Sequence, residues 1–153
     1  MNTAFDVFEL IITAPENFEI STAQRNRKIL FDAYAAIQMG DQNALFECCA
    51  PDIVFYEAES LPYGGVKHGI DGVREGLLGA FSAWSHVRCD FQEFTAAGDI
   101  VIAYMQVALT ARTTGEVYKG PTAEMFRFRD GKITEWRVIY WDTHRVRQVF
   151  GLT

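Results

Sequence analysis

The sequence predicts an α+β fold, in which a strongly curved antiparallel sheet wraps around N-terminal helices and encloses a pocket. Three observations point there. The element order reads helix, helix, strand, helix, then four consecutive strands, and strands grouped after helices indicate α+β rather than a doubly wound parallel sheet. Residues 122–142, TAEMFRFRDGKITEWRVIYWD, read as a hairpin turning at Asp130-Gly131, the strongest short hairpin signal. Both sides of that ribbon carry large apolar groups. In one arm Glu124, Phe126 and Phe128 oppose Met125, Arg127 and Arg129; in the other, Trp136, Val138, Tyr140 and Asp142 oppose Glu135, Arg137, Ile139 and Trp141. A sheet with one wet face would be polar there, so one face covers an interior and the other covers helix, loop or a second subunit.

Taken in order, residues 1–20 form a semi-independent arm, with Phe5, Phe8, Leu10, Ile11 and Ile12 in a short helix stopped at Pro15. Residues 21–153 form a single domain. Ser21-Thr22-Ala23-Gln24 fits a capping box, and Ile29, Leu30, Ala33, Tyr34 and Ile37 follow at helical spacing up to Gly40. Asp41 is expected to cap a second, shorter helix carrying Leu45, Phe46 and Cys49, closed by Pro51. Residues 52–58 are a strand, with Ile53, Phe55 and Glu57 on one face and Val54 and Tyr56 on the other. A loop with Pro62, Gly64 and Gly65 follows. A third helix spans about 70–85, with Val73, Leu77, Phe81 and Trp84 on one stripe. Strands are expected at 87–96, 100–111, 117–129 and 133–142, turning at Gly98-Asp99 and Thr114-Gly115-Glu116. A last helix runs from about Thr143 to Phe150.

Composition narrows the class. At 153 residues the chain is one domain with a sizeable core. A net charge of −6 gives no excess of cations to neutralise phosphates, so nucleic acid is not an expected partner. Three cysteines, two of them adjacent as Cys48-Cys49, read as free thiols in a reducing cytoplasm. No apolar run reaches membrane-span length, and the acidic start MNTAFDVFEL does not read as a secretory signal. Nothing resembles a phosphate-binding glycine loop, so no organic cofactor is expected. His68 with Glu57 and Glu59 has ligand types for a metal but lacks HxxE, CxxC or HxxxH spacing, so no metal is expected.

Four stretches together carry a resemblance: IQMGDQNALFECCAPDIVF, VKHGIDGVREGL, MFRFRDGKITEWRV and YWDTHRVRQVFG. Over about residues 22–151 the chain resembles the nuclear-transport-factor-two-like superfamily, in its SnoaL-like and ketosteroid-isomerase-like branches. The resemblance implies a cone-shaped α+β fold around a pocket. In the isomerases a carboxylate at the end of the first strand is the general base, and Glu57 falls there. A neutral carboxylic acid on the hairpin donates to the developing oxyanion, and Glu124 falls there. The isomerase tyrosine of the first helix falls on Ala33. Tyr34 lies one residue later, about 100° around a helix, which argues against its substituting. The cyclase aspartate of the last strand falls near Val138, and the cyclase pocket histidine on Glu124. Asp142 matches an acid common before the terminal Gln148–Gly151 tail. Neither branch's full machinery is present, and the fold alone does not fix a reaction.

The residues support several chemistries. Glu57 and Glu124 are mid-strand acids among apolar neighbours. Two such carboxyls brought together would have their pKa values pushed apart, giving one base and one acid, which suits proton abstraction beside a carbonyl. The alternative is pairing with Arg112, Arg127 or Arg137. Asp142 is a second candidate acid, with capping of the last helix the favoured role. His68, before the third helix, is a candidate acid or base. Tyr34, Tyr63, Trp84, Phe126, Trp136, Val138 and Tyr140 are the candidate lining for a flat apolar ligand. The reading is a small enzyme doing acid–base work, isomerase or cyclase, on a hydrophobic carbonyl compound. The competing readings are a non-catalytic ligand-binding or assembly module, and a hydrolase or dehydratase with acid-activated water. Ile139, Trp141 and Met125 on the outer face point to a homodimer.

Overall fold

The computed structural model describes residues 20–153. Apart from Ile20, the expected arm lies outside the described residues. Helix α1 (Ile20–Gln38) is already formed one residue before the expected serine cap, so Ser21 lies within the helix and the capping box is not its start. The helix stops as expected, with Gly40 at φ 104°, a conformation that favours glycine. Asp41 does not cap helix α2 (Ala44–Glu47). Its carboxylate accepts from the Asn43 N–H at 3.0 Å and holds the preceding turn.

Strand β1 (Cys49–Glu57) begins earlier than expected and takes in Pro51. A register shift between Cys49 and Val54 accommodates it, since proline cannot donate to a ladder. Strand β2 (Gly65–His68) occupies what reads as loop; it pairs with β1 from Val54–His68 to Glu57–Gly65. Helix α3 (Gly69–Ala83) ends one residue before Trp84, which opens strand β3 (Trp84–Ala97) instead of closing the helical stripe. Strands β4 (Ile100–Ala111) and β5 (Val117–Arg129) fall at the expected positions. Strand β6 (Lys132–Tyr140) and helix α4 (Thr143–Val149) complete the chain. At the β5–β6 turn Asp130 and Gly131 both take positive φ, 52° and 75°, as a two-residue hairpin turn of the primed type requires.

The six strands form one curved, unclosed sheet in the order β2-β1-β6-β5-β4-β3. All neighbours are antiparallel except β1 and β6, which run parallel. That pair departs from the all-antiparallel expectation. It joins the first half of the chain to the last strand and lays β1 beside the hairpin. Register shifts in β1, in β3 and between Arg127 and Phe128 of β5 supply bends, as bulged strands do. The inner face carries Ile53, Phe55, Met105, Phe126 and Trp136, packed with Leu30 of α1 and Val73 of α3. Helix α3 comes so close to β1 that a Cβ on Gly76 would sit 2.7 Å from the Phe55 ring. No helix among the described residues is long and apolar enough to cross a membrane.

Candidate functional site

Two adjoining cavities open inside the sheet. The larger, of about 700 Å³, has α1 and α2 on one side (Tyr34, Ile37, Leu45, Phe46), α3 on the other (Leu77, Leu78, Phe81) and the sheet as its wall (Met105, Glu124, Trp136). The smaller, of about 120 Å³, is lined by Glu57, Trp84, Thr122, Val138 and Tyr140. Glu124, Leu77, Phe81, Cys89 and Met105 border both.

Strand register places the two acids. Glu124 on β5 pairs with Val138 on β6. On the other side of β6, Tyr56 pairs with Arg137, so Glu57, the next residue, comes level with Val138. The acids therefore flank Val138 across two strand spacings, about 9.5 Å at the backbone. Because side chains alternate, both face inward, and both line the smaller cavity. No arginine reaches them. Arg112 bonds the carbonyls of Ser82 and Trp84, Arg127 pairs with Asp99 at 3.0 Å, and Arg137 holds Glu135 and covers the Tyr56 ring at 3.6 Å.

The two carboxyls differ in their partners. The Tyr34 hydroxyl donates to Glu124 Oε2. Burial pushes Glu124 up to about 7, while the Tyr34 hydroxyl and the nearby Trp136 indole N–H favour its charged form. The Trp136 Nε1 lies close to Glu124 but makes no hydrogen bond of standard geometry, and the residue is only 3% exposed. Glu57 is 7% exposed. Its partner is the neighbouring Ala58 N–H at 3.2 Å. Burial first, and then the negative charge of Glu124, push it up to about 8. The charge of Glu124 helps keep the proton on Glu57. The carboxyls titrate as a pair.

The other expected residues divide. Tyr34 and Trp136 line the larger cavity; Trp84, Val138 and Tyr140 line the smaller. Tyr63 lies behind that wall, its hydroxyl 3.1 Å from the Tyr140 hydroxyl and accepting from Trp84 Nε1 at 3.0 Å. Burial and the charge of Glu57 raise Tyr140 well above an ordinary phenol, so it enters the cavity as a neutral hydroxyl. Phe126 is fully buried and stacked on Trp136 at 5.2 Å; it supports the wall without bordering either cavity. Asp142 is outside the site, exposed at the start of α4, where it accepts from the Arg145 N–H at 2.8 Å. His68 is also outside, exposed at the β2–α3 junction without a side-chain capping bond. The geometry thus brings Glu57 and Glu124 together and leaves Asp142 and His68 apart.

Thr122 was not among the expected residues. It is 4% exposed, borders the smaller cavity and has no partner for its hydroxyl among the described residues. The signal was present, since Thr122 lies two residues before Glu124 on the same strand face. Cys89 borders both cavities as well. The residue is exposed as a whole, but partial loss of water around its sulfur, ahead of the charge of Glu124, pushes the thiol up to about 11, so it stays neutral and weakly nucleophilic.

The SnoaL-like domain family profile matches residues 31–136. The chain belongs to the SnoaL-like domain family. No match is found among curated proteins. Among solved structures, an NTF2-like protein of unknown function from Burkholderia pseudomallei is similar at 22% identity and TM-score 0.73, over 82% of this chain and 97% of that one. TerC, co-crystallised with polyporic acid, is similar at 22% identity and TM-score 0.72, over 83% and 98%. A protein provisionally designated a SnoaL-like polyketide cyclase, from Jannaschia sp. CCS1, is similar at 15% identity and TM-score 0.65, over 92% and 100%. At these identities the structures establish the fold of this SnoaL-like domain. Its chemistry has to be argued from its own cavity.

Proposed function

We propose that this SnoaL-like domain is a small-molecule acid–base enzyme, an isomerase or cyclase, acting on a hydrophobic carbonyl compound. One observation carries the reading: two arginine-free carboxyls flank Val138 on one cavity wall, both titrating near neutrality. A base near pH 7 combines useful ionisation with useful basicity. The apolar lining fits a hydrophobic ligand, and the co-crystallisation of TerC with polyporic acid supports a small-molecule occupant.

The roles come out the reverse of those the resemblance implies. Glu124 is the base, because Tyr34 and Trp136 stabilise its carboxylate. Glu57 is the acid, because its surroundings keep it protonated. Glu124 removes a proton from the carbon beside the carbonyl. Glu57, assisted by the Thr122 hydroxyl, donates to the oxygen as negative charge develops there. Glu124 then returns its proton to a different carbon for isomerisation, or the enolate attacks a second carbonyl carbon for ring closure and the proton on Glu124 goes to the oxygen of that carbonyl.

Deuterium incorporation into a panel of cyclic ketones in heavy water, followed by mass spectrometry, tests the chemistry without a known substrate. Glu124→Gln removes the base and should slow exchange about 10²–10⁴-fold. Glu57→Gln keeps a neutral donor and should lose less. The opposite ranking would restore the roles implied by the resemblance, and undiminished exchange in both variants would remove both acids from the mechanism. No exchange in any form, with ligand binding intact, would leave the binding-module reading.

The same proposal places the protein in the cytoplasm as a homodimer. All three thiols are free. On the outer face, Ile139 is 51% and Trp141 82% exposed, an apolar surface suited to a second copy. A monomer in sedimentation equilibrium would sink the dimer, and fractionation to a membrane or secreted pool would sink the location.

A further inference from the structure

Among the described residues the larger cavity is charged at two places only. Glu124 sits on the sheet wall, already bonded by Tyr34. Arg74 of α3 is at the rim, and no other lysine, arginine or histidine borders the cavity. The exposed residues among its lining, Gln42, Asn43, Arg74, Leu78, Phe81 and Cys89, mark the open end. Across that opening the Arg74 guanidinium lies over the ring of Phe46, 4.1 Å from its centroid. The stack bridges α3 to α2 and holds the cation at the mouth. A stacked guanidinium still presents its N–H donors around the edge of its plane. Among the described residues no acid takes them up. The nearby Glu75 of α3 is paired with Lys67 at 2.7 Å.

We infer that the ligand of this cavity carries an anionic group, a carboxylate or an acidic enol, at the end that remains at the mouth, where Arg74 binds it while the apolar body lies inside. The inference rests on the cavity being a ligand site and goes beyond the acid–base reading, since it names the polarity of the substrate and a residue that selects it. A solvated surface arginine is the ordinary alternative, and most exposed ion pairs add little. Two features set Arg74 apart: its stack across the opening and its place in a mostly apolar lining that holds no other cation among the described residues. The chain as a whole carries −6 and offers an anion no general attraction, so any preference for an anionic ligand must be local to this guanidinium.

Two fluorescent probes of nearly equal shape test it: anilinonaphthalene sulfonate, and phenylnaphthylamine, its uncharged parent lacking the sulfonate. The intact protein should bind the sulfonate more tightly. Arg74→Met should weaken the sulfonate about tenfold and leave the neutral probe within about twofold, while Arg74→Lys keeps part of the preference. Leu77→Trp, which intrudes on both cavities, should abolish binding of both probes. Equal weakening of both probes in Arg74→Met would mean that the guanidinium only packs on Phe46, and would overturn the inference. So would an unchanged preference in Arg74→Met, or sulfonate binding that survives Leu77→Trp. Wild-type binding of the neutral probe without any gain for the sulfonate would overturn the anion assignment alone. Failure of both probes to bind would count against the ligand site itself.

Discussion

The two faces of the β5–β6 hairpin carry the same acidic side chain in opposite circumstances. On the outer face Glu135 lies between two guanidiniums, bonded by Arg137 and 3.5 Å from Arg127. On the inner face, a few residues away across the ladder, Glu124 meets a tyrosine hydroxyl and an indole instead. The first arrangement sets a half-buried carboxylate against two counter-charges. The second removes water without supplying a counter-charge, and the proton becomes mobile near neutral pH. Chemistry therefore depends on which side of the sheet an acid faces and on which neighbours have been left out, more than on the acid itself.

The sharpest way to break that contrast is to damage the inner wall. Phe126→Ala removes a fully buried ring stacked on Trp136. It should lower stability by about 3–5 kcal/mol, read from urea unfolding, and should loosen the Trp136 side of the cavity. A loss below about 1 kcal/mol would mean that the inner face is not the close-packed layer described here.

A second test uses pH. Glu57 and Glu124 titrate near 8 and 7 in the fold, against 4.5 for an ordinary glutamate. Between those values the folded chain binds more protons than the unfolded one. The stability these groups contribute is full below about pH 4.5 and falls as pH rises through about 7 and 8. Unfolding free energies from urea titrations at about pH 5 to about pH 8.5 should decline by an amount on the order of a few kcal/mol. The double variant Glu57→Gln with Glu124→Gln should flatten the curve. An equally steep decline in the double variant would assign the titration to other groups.

The smallest effect belongs to the outer face. Trp141→Ala removes a side chain with little contact to its own protomer. It should change protomer stability by about 0.5 kcal/mol or less while weakening self-association, read by urea unfolding and sedimentation side by side. A large loss of protomer stability with unchanged association would erase the distinction between the faces.

Much of the site was legible before any coordinates. Alternation alone put Glu124, Phe126 and Phe128 on one side, and the structure keeps them there because Asp130-Gly131 fixes the hairpin register. The same rule aligned Ile53, Phe55 and Glu57, all buried. The misses fall where local pattern competes with distant partners. Trp84 continues a helical stripe but opens β3, where its indole bonds Tyr63. Strand β2 is too short to announce itself and exists because β1 offers an edge. Helical phase argues against Tyr34 as a substitute for the isomerase tyrosine, yet its hydroxyl reaches Glu124, because a tyrosine side chain is long enough to offset part of a turn.

By itself, the sequence determined five of the six strands, their inner and outer faces, the hairpin turn and the presence of two acids among apolar neighbours, because each follows from residues close along the chain. Only the tertiary structure decided that β1 lies parallel to β6, which sets Glu57 and Glu124 on either side of Val138. It alone decided that Tyr34 bonds Glu124, that Arg112, Arg127 and Arg137 are held elsewhere, and that Asp142 and His68 stand outside. Strand order, solvent exclusion and pairing across tens of residues are properties of the assembled sheet, and a local pattern of side chains does not carry them.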